Sequence, residues 1–357
     1  MKLSIPLCLF LAVGGVSTLQ YSEAAPVVED AIPQNIDWFV HMDADQFRST
    51  KTGSALINEL TAIAQEEAGQ EMPINPVLVI NGLSGLTLFG TMPDMENPEN
   101  LDAVVVLDGA PELLQILKGM VSGMKIEKPD MLIETQVGAH NLMTLKDGGI
   151  HGTFIGDTGF ALSKSLTSIE DYLAVRDGKK QHIALSERFP MASYDANSGL
   201  FFGAYIEGMK EVQALPVQAR ILKMTESVAL QLGESGEYVN LMTSLTTDSE
   251  TTSQQVAEVL KGIIAVFALT QANEDLAALV QQARVESVGS SVALTLNYPV
   301  EAAEKWIKVA GEKARVEIAA KKAAEAARAA EEAAQAAEKA AAEAAEAAAA
   351  AETAPAG

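Results

Sequence analysis

Cysteine is almost missing from this sequence: Cys8 is the only one in 357 residues. It lies inside the apolar run from Leu3 to Val16, so a chain that has lost that segment carries no thiol. Disulfides, thiolate metal sites and cysteine nucleophiles are thereby excluded. Histidine is scarce as well, with four residues at positions 41, 140, 151 and 182. A hairpin closed at Asp147-Gly148-Gly149 pairs His151 with about residue 144 and leaves His140 more than ~10 Å away, which argues against a multi-histidine centre. Basic residues fall short of acidic ones, 25 against 48, for a net charge of −23. A polyanionic nucleic acid or an anionic membrane surface would be repelled over most of such a surface.

Several signatures are lacking altogether. The sequence contains no G-x-S-x-G elbow, no G-x-x-x-x-G-K-[ST] loop and no G-x-G-x-x-G turn. Acyl transfer by an elbow serine and nucleotide binding therefore have no support, and no cofactor is implied. Ser122-Gly123-Met124-Lys125 matches S-x-x-K and Lys51-Thr52-Gly53 matches K-T-G. They stand in the wrong order for a penicillin-binding enzyme, with no S-D-N between them.

What is present begins with an export signal. Met1-Lys2, the apolar run and the small residues of Ser22-Glu23-Ala24 predict cleavage after Ala24. The run is shorter than the ~20 residues needed to cross a bilayer, which favours a cleaved signal over an anchor. Cys8 follows Pro6-Leu7, unlike a lipidated cysteine. A periplasmic or secreted product is expected.

The remainder reads as α+β. Ile36 to Asp45 alternates like a strand, and Leu56, Leu60, Ile63 and Ala64 follow at helical spacing after a break at Gly53-Ser54. Leu83–Gly90 and Leu101–Leu107 predict strands around an acidic loop, residues 93–100, and Pro111 begins a helix. Leu132–Lys146 and Ile150–Ile155 flank a turn, a strand from Phe160 follows, and a short helix stops at Gly178. The order then restarts with strand Leu200–Glu207, strands Ser227–Gly233 and Tyr238–Leu245, a helix carrying Val256, Val259, Leu260, Ile263 and Phe267, and strands near Val285 and Ser291–Leu296. Two similar halves are expected, residues 25–190 and 191–309, each a mainly antiparallel sheet with covering helices. Residues 310–357 are a tail of alanine, glutamate and lysine. Opposite charges four apart at Glu317/Lys321, Lys321/Glu325, Arg328/Glu332 and Lys339/Glu343 predict one long helix. Its alanine seam suits a stalk or a coiled-coil surface for a protein partner.

His41, Asp43 and Asp45 form the most site-like cluster. Alternate strand residues put an imidazole and two carboxylates on one face, a set that suits a divalent metal. Glu207 from the second half is a further candidate ligand. In the competing reading Asp43 ends the strand, Asp45 caps the next helix and His41 is half-exposed. The acidic loop with Asp94, Glu96 and Glu99 lacks EF-hand spacing and reads as solvated.

Ile36-Asp37-Trp38-Phe39-Val40-His41-Met42-Asp43, Thr52-Gly53 and the stretch from Ser165 to Asp177-Gly178-Lys179 resemble an uncharacterised family of exported proteins of planctomycete-type bacteria. The resemblance spans about residues 30–300 and implies export and a repeated α+β body, with no established activity. The tail is similar to helical spacers of envelope-spanning proteins. Together these features predict a non-enzymatic interaction or scaffolding protein of the envelope; the alternative is a metal-binding protein or metal-assisted hydrolase at His41, Asp43 and Asp45.

Overall fold

A computed structural model describes residues 29–67, 76–92, 102–183, 199–211, 221, 223–270, 280 and 282–352. The signal segment and the acidic loop fall outside them. The chain divides into two compact units, Met1–Lys305 and Trp306–Gly357.

The first unit is built on one antiparallel sheet of twelve strands among the described residues. Its first half runs β1 (Trp38–Asp43), α1 (Ala44–Ser49), α2 (Lys51–Glu67), α3 (Pro76–Gly82), β2 (Leu83–Gly90), β3 (Ala103–Gly109), α4 (Pro111–Glu127), β4 (Leu132–Val137), β5 (His140–Leu145), β6 (Ile150–Ile155), β7 (Gly159–Ser163) and α5 (Leu166–Arg176). The second half runs β8 (Leu200–Glu207), β9 (Ser227–Ser235), β10 (Tyr238–Thr246), α6 (Glu250–Thr270), β11 (Arg284–Val288) and β12 (Ser291–Pro299); α7 (Val300–Glu352) follows, and all but its first residues belong to the second unit.

The sheet order is β11-β12-β10-β9-β8-β1-β2-β3-β7-β6-β5-β4. Outward from the junction of β1 and β8, the two sides follow one plan: three meandering strands, an excursion through a helix, and a returning hairpin whose last strand joins first. The first half adds β4 and β5 beyond that plan. The α+β class and the antiparallel pairing are thus as expected. The halves do not keep separate sheets, because β1 and β8 hydrogen-bond edge to edge, with Phe39 opposite Tyr205 and His41 opposite Gly203. Direct pairing removes the two exposed edges that separate sheets would leave.

Alternation along the strands divides the core between the two faces. One face carries Phe39, Phe89, Val104, Val106, Ala161, Tyr205 and Ala229, covered by Ile169, Tyr172 and Leu173 of α5 together with Ile32, Ile36 and Ile183. On the other face Phe154 and Phe160 meet Leu113 and Leu114 of α4 and Val79 of α3. Farther along that face Leu245 and Val292 meet Val256 and Ala257 of α6. The stripe on α6 is therefore centred on Val256; Val259 and Ile263, expected within it, are 46% and 48% exposed.

Four local expectations shift. The helical break lies at Thr50, whose Oγ1 accepts from the N–H of Gly53 at 2.8 Å and caps α2. Gly53 serves instead as the point of closest approach, since a Cβ there would stand 1.8 Å from the carbonyl oxygen of Phe47. Leu132–Lys146 is two strands, folded between Val137 and His140. Helix α3 is not anticipated, because Val77-Leu78-Val79-Ile80 has neither a helical nor a strand period. Helix α7 is longer than the tail alone, beginning directly after β12 and running 53 residues, about 80 Å at 1.5 Å per residue.

Candidate functional site

The expected metal-binding trio does not present itself as a trio. His41 and Asp43 share one face of β1, as alternate residues must. His41 is 1% exposed rather than half-exposed, and its Nδ1 is hydrogen-bonded to Thr87 Oγ1 on β2 at 2.9 Å. Asp43 both ends the strand and caps α1, its Oδ1 accepting from the N–H of Gln46 at 2.8 Å. Capping thus falls to Asp43 and not to Asp45, since α1 starts at Ala44, two residues earlier than expected. Asp45, in the first turn of α1, pairs with Arg48, whose other terminal nitrogen donates to the carbonyl of Ile80 at 2.8 Å. Glu207 accepts from the hydroxyl of Tyr205 at 2.7 Å. Among the described residues no three His, Cys, Asp or Glu side chains are grouped to hold a metal ion.

His41 belongs to a polar row that crosses four adjacent strands, β9, β8, β1 and β2. Thr87 and Gly203 are its direct partners on either side, and Gln231 of β9 lies opposite Gly203. All three side chains are buried. Such a row within an apolar core penalises any slip in register, because a slip would bury polar atoms against hydrocarbon. Its chemistry is that of a register lock.

A second, half-buried group escaped sequence reasoning. Asp108 of β3 lies beside Gly85 and Gly159 on the flanking strands. Burial pushes its carboxyl above the ordinary carboxylate range, with the positive charge of Arg176 pulling the other way. Arg176 also donates to the hydroxyl of Tyr172 at 3.3 Å and lies over that ring. Burial raises the Tyr172 hydroxyl above its usual value as well. No spacing links Asp108 to residues more than sixty positions on, so only the fold brings them together.

The other sequence candidates have local partners. Ser122 Oγ donates to the carbonyl of Lys118 at 2.8 Å, and Lys125 pairs with Glu134. His140 contacts Asp177 at 2.9 Å, and His151 contacts Thr144 at 2.9 Å on the strand register expected for it. The Glu134 and Asp177 carboxyls are held below the ordinary range, by hydrogen bonds from Lys125 and Lys179 respectively.

The long helix offers a different surface. Trp306, Val309 and Val316 are 66%, 57% and 69% exposed, three large apolar side chains at a spacing that puts them on one side of α7. Farther along, Lys321–Glu325 and Arg328–Glu332 pair as expected, at 3.8 and 3.0 Å, and Glu317 pairs back to Lys313 at 4.0 Å. The side chains of Lys339 and Glu343 lie outside the described residues.

No protein-family model matches the chain, and no curated protein matches it. Among solved structures it is similar to TP0453 of the spirochete Treponema. Crystal form III aligns with a TM-score of 0.45 at 7% identity, over 80% of this chain and 97% of that one. Form IV aligns with a TM-score of 0.42 at 8% identity, over 81% and 97% of the two chains. At these scores the likeness carries neither fold nor function across.

Proposed function

We propose that this is an exported, non-enzymatic interaction or scaffolding protein of the cell envelope, whose sheet body carries a helical docking element. The observation that carries the reading is α7: 53 residues of continuous helix with Trp306, Val309 and Val316 exposed. Exposed tryptophan is costly to keep in water and is a frequent anchor of protein interfaces. The buried polar groups add support, since His41, Asp43 and Asp45 are engaged in register, capping and ion pairing. The leader at residues 1–24 supplies the export. Tandem duplication of one α+β unit accounts for the common plan of the two halves, and membership of the planctomycete-type exported family fits the same picture.

Affinity capture from envelope extract tests the reading, comparing residues 25–357 with a chain ending at Gly311. A specific partner retained by the longer form alone is the expected result. Equal capture by both forms, or by neither, removes the docking role from the helix.

The rival reading, a divalent cation at His41, Asp43 and Asp45, has one observation in its favour: Oδ2 of Asp45 is buried without a hydrogen-bond partner. Metal analysis of the purified protein decides it. Stoichiometric metal that is lost in Asp43→Ala would establish the rival and displace the capping role.

A further inference from the structure

We infer that the hairpin β4–β5 is a flap, fastened at its tip by His140 and Asp177, whose closure is governed by the protonation of His140. These are the two strands that the first half adds to the common plan, and they form a unit of their own. They pair along their whole length, from Leu132↔Leu145 at the base to Val137↔His140 at the tip. The hold of this unit on the sheet is shorter, since β5 pairs with β6 only at Met143, Thr144 and Leu145. Beyond Met143 the ladder gives way to a side-chain bond, Thr153 Oγ1 donating to the carbonyl of Asn141 at 3.0 Å. On the base side Lys125 of α4 ties down Glu134. The tip half nevertheless covers apolar surface: Leu142 is 1% exposed within the core cluster under α5, and Val137 packs against the same cluster.

The fastening at the tip is polar. His140 Nε2 lies 2.9 Å from Oδ1 of Asp177, the C-cap of α5, and Lys179 donates to the other carboxylate oxygen at 2.6 Å. The His140 and Asp177 side chains are 18% and 20% exposed. The turn sits directly on this pair: Gly138 has φ +59°, and a Cβ there would stand 3.0 Å from Asp177 Oδ2 and 3.1 Å from Lys179 Nζ. The other charged groups at this end of α5 are engaged elsewhere, Arg176 with Tyr172 and Lys180 with Asp171. His182 contacts the carbonyl of Ile183. On the strand side the partner of His140 is the uncharged Val137, and the titratable residue of β6 is His151, opposite Thr144 at the hinge. A carboxylate only accepts, so Nε2 carries a proton in either state of the ring. Protonation at Nδ1 adds a full charge and makes the bond charge-assisted, roughly twice as strong. Hydrogen bonds from Lys179 and His140 hold the Asp177 carboxyl below the ordinary range, so it stays ionised at neutral and mildly acidic pH. Imidazoles change charge between about pH 5 and 8. The clasp is therefore tight in mild acid and loosens as pH rises through that window, which frees the tip to swing about Met143 and bare Leu142.

Amide hydrogen exchange tests the device, and the result does not depend on the docking role of α7. His140→Gln keeps a donor at the tip but cannot take up a proton. At pH 5.5 the amides of residues 137–142 should exchange about two- to fivefold faster in this variant than in the unsubstituted chain. At pH 8 the two chains should exchange alike, and residues 103–109 of β3 should be unchanged at both pH values. Comparing variant with parent at one pH removes the intrinsic pH dependence of exchange. Asp177→Asn should loosen the tip at pH 5.5 in the same way, whereas His151→Gln should leave the response intact. A second reading comes from Val137→Cys, since residues 25–357 contain no other thiol. Its alkylation at pH 5.5 should be faster when His140→Gln is added, and at pH 8 it should not change. Equal effects of His140→Gln at both pH values, or no effect at either, overturn the proposal. So does a response that follows His151 instead of His140.

Discussion

Thr87 and His41 meet because β1 and β2 are paired in the register that sets them opposite each other. Removing the hydroxyl leaves the imidazole nitrogen without that contact in a buried place. Thr87→Val is therefore expected to cost about 1–3 kcal/mol, measured by urea unfolding, although it conserves shape. An indifferent variant would mean that the polar row does not lock the register. Asp108 behaves in the opposite sense. Its carboxyl is raised above the usual 3.8 by burial, so the folded state binds the proton more tightly than the unfolded chain does. Stability from this group is fullest at low pH and falls as pH rises from about 3.8 through the raised value. Asp108→Asn should raise the urea midpoint at pH 7 and change it much less near pH 4. Equal effects at both pH values would show that Arg176 compensates fully for the burial.

At the scale of elements, helix ends account for several of the charged residues. Glu234, at the end of β9, accepts from the backbone N–H groups of Lys51 and Thr52 at 2.8 and 2.9 Å, so a carboxylate from the second half closes the N-terminus of α2 in the first. Two otherwise unpaired donors and the positive end of the helix dipole are satisfied at once. Glu234→Ala is expected to cost about 1 kcal/mol, more than Glu237→Ala, whose exposed pair with Lys51 at 3.2 Å contributes little. The backbone beneath is tight: Gly199 has φ +70°, and a Cβ on it would stand 2.0 Å from the carbonyl oxygen of Glu234. Chain entry into β8 and the anchoring of Glu234 are thus one feature.

Across the whole body, the junction of β1 and β8 makes two similar halves into one sheet. Phe39 and Tyr205 face each other there, with ring centres 6.1 Å apart, and both lie in the largest core cluster. Phe39→Ala should cost about 3–5 kcal/mol. Because the strands of both halves are hydrogen-bonded through this seam, the body should unfold in one transition. With Trp306→Phe in the background, Trp38 fluorescence and far-UV ellipticity of the sheet should fall together. Separated midpoints would show that the halves unfold independently, despite the shared sheet.

Period and composition were enough to place most of the elements. The alternation of Trp38 to Asp43 and the helical spacing around Val256 each reflect one chain segment meeting one apolar surface, and that signal is local. The alanine-rich helix was legible for the same reason, since intrinsic propensity needs no partner. Contacts between segments were decided elsewhere. That β1 would pair with β8, that Glu234 would cap a helix more than 180 residues earlier, and that Asp108 would meet Arg176 are consequences of sheet order, to which no spacing within a segment answers. The cluster of His41, Asp43 and Asp45 shows the limit most plainly: the alternation set two of the three on one face, as read, but what surrounds that face was fixed by β2, by α1 and by the core beneath α5. In the sequence these side chains look like ligands, while their neighbours in the fold make them a register pair, a helix cap and an ion pair.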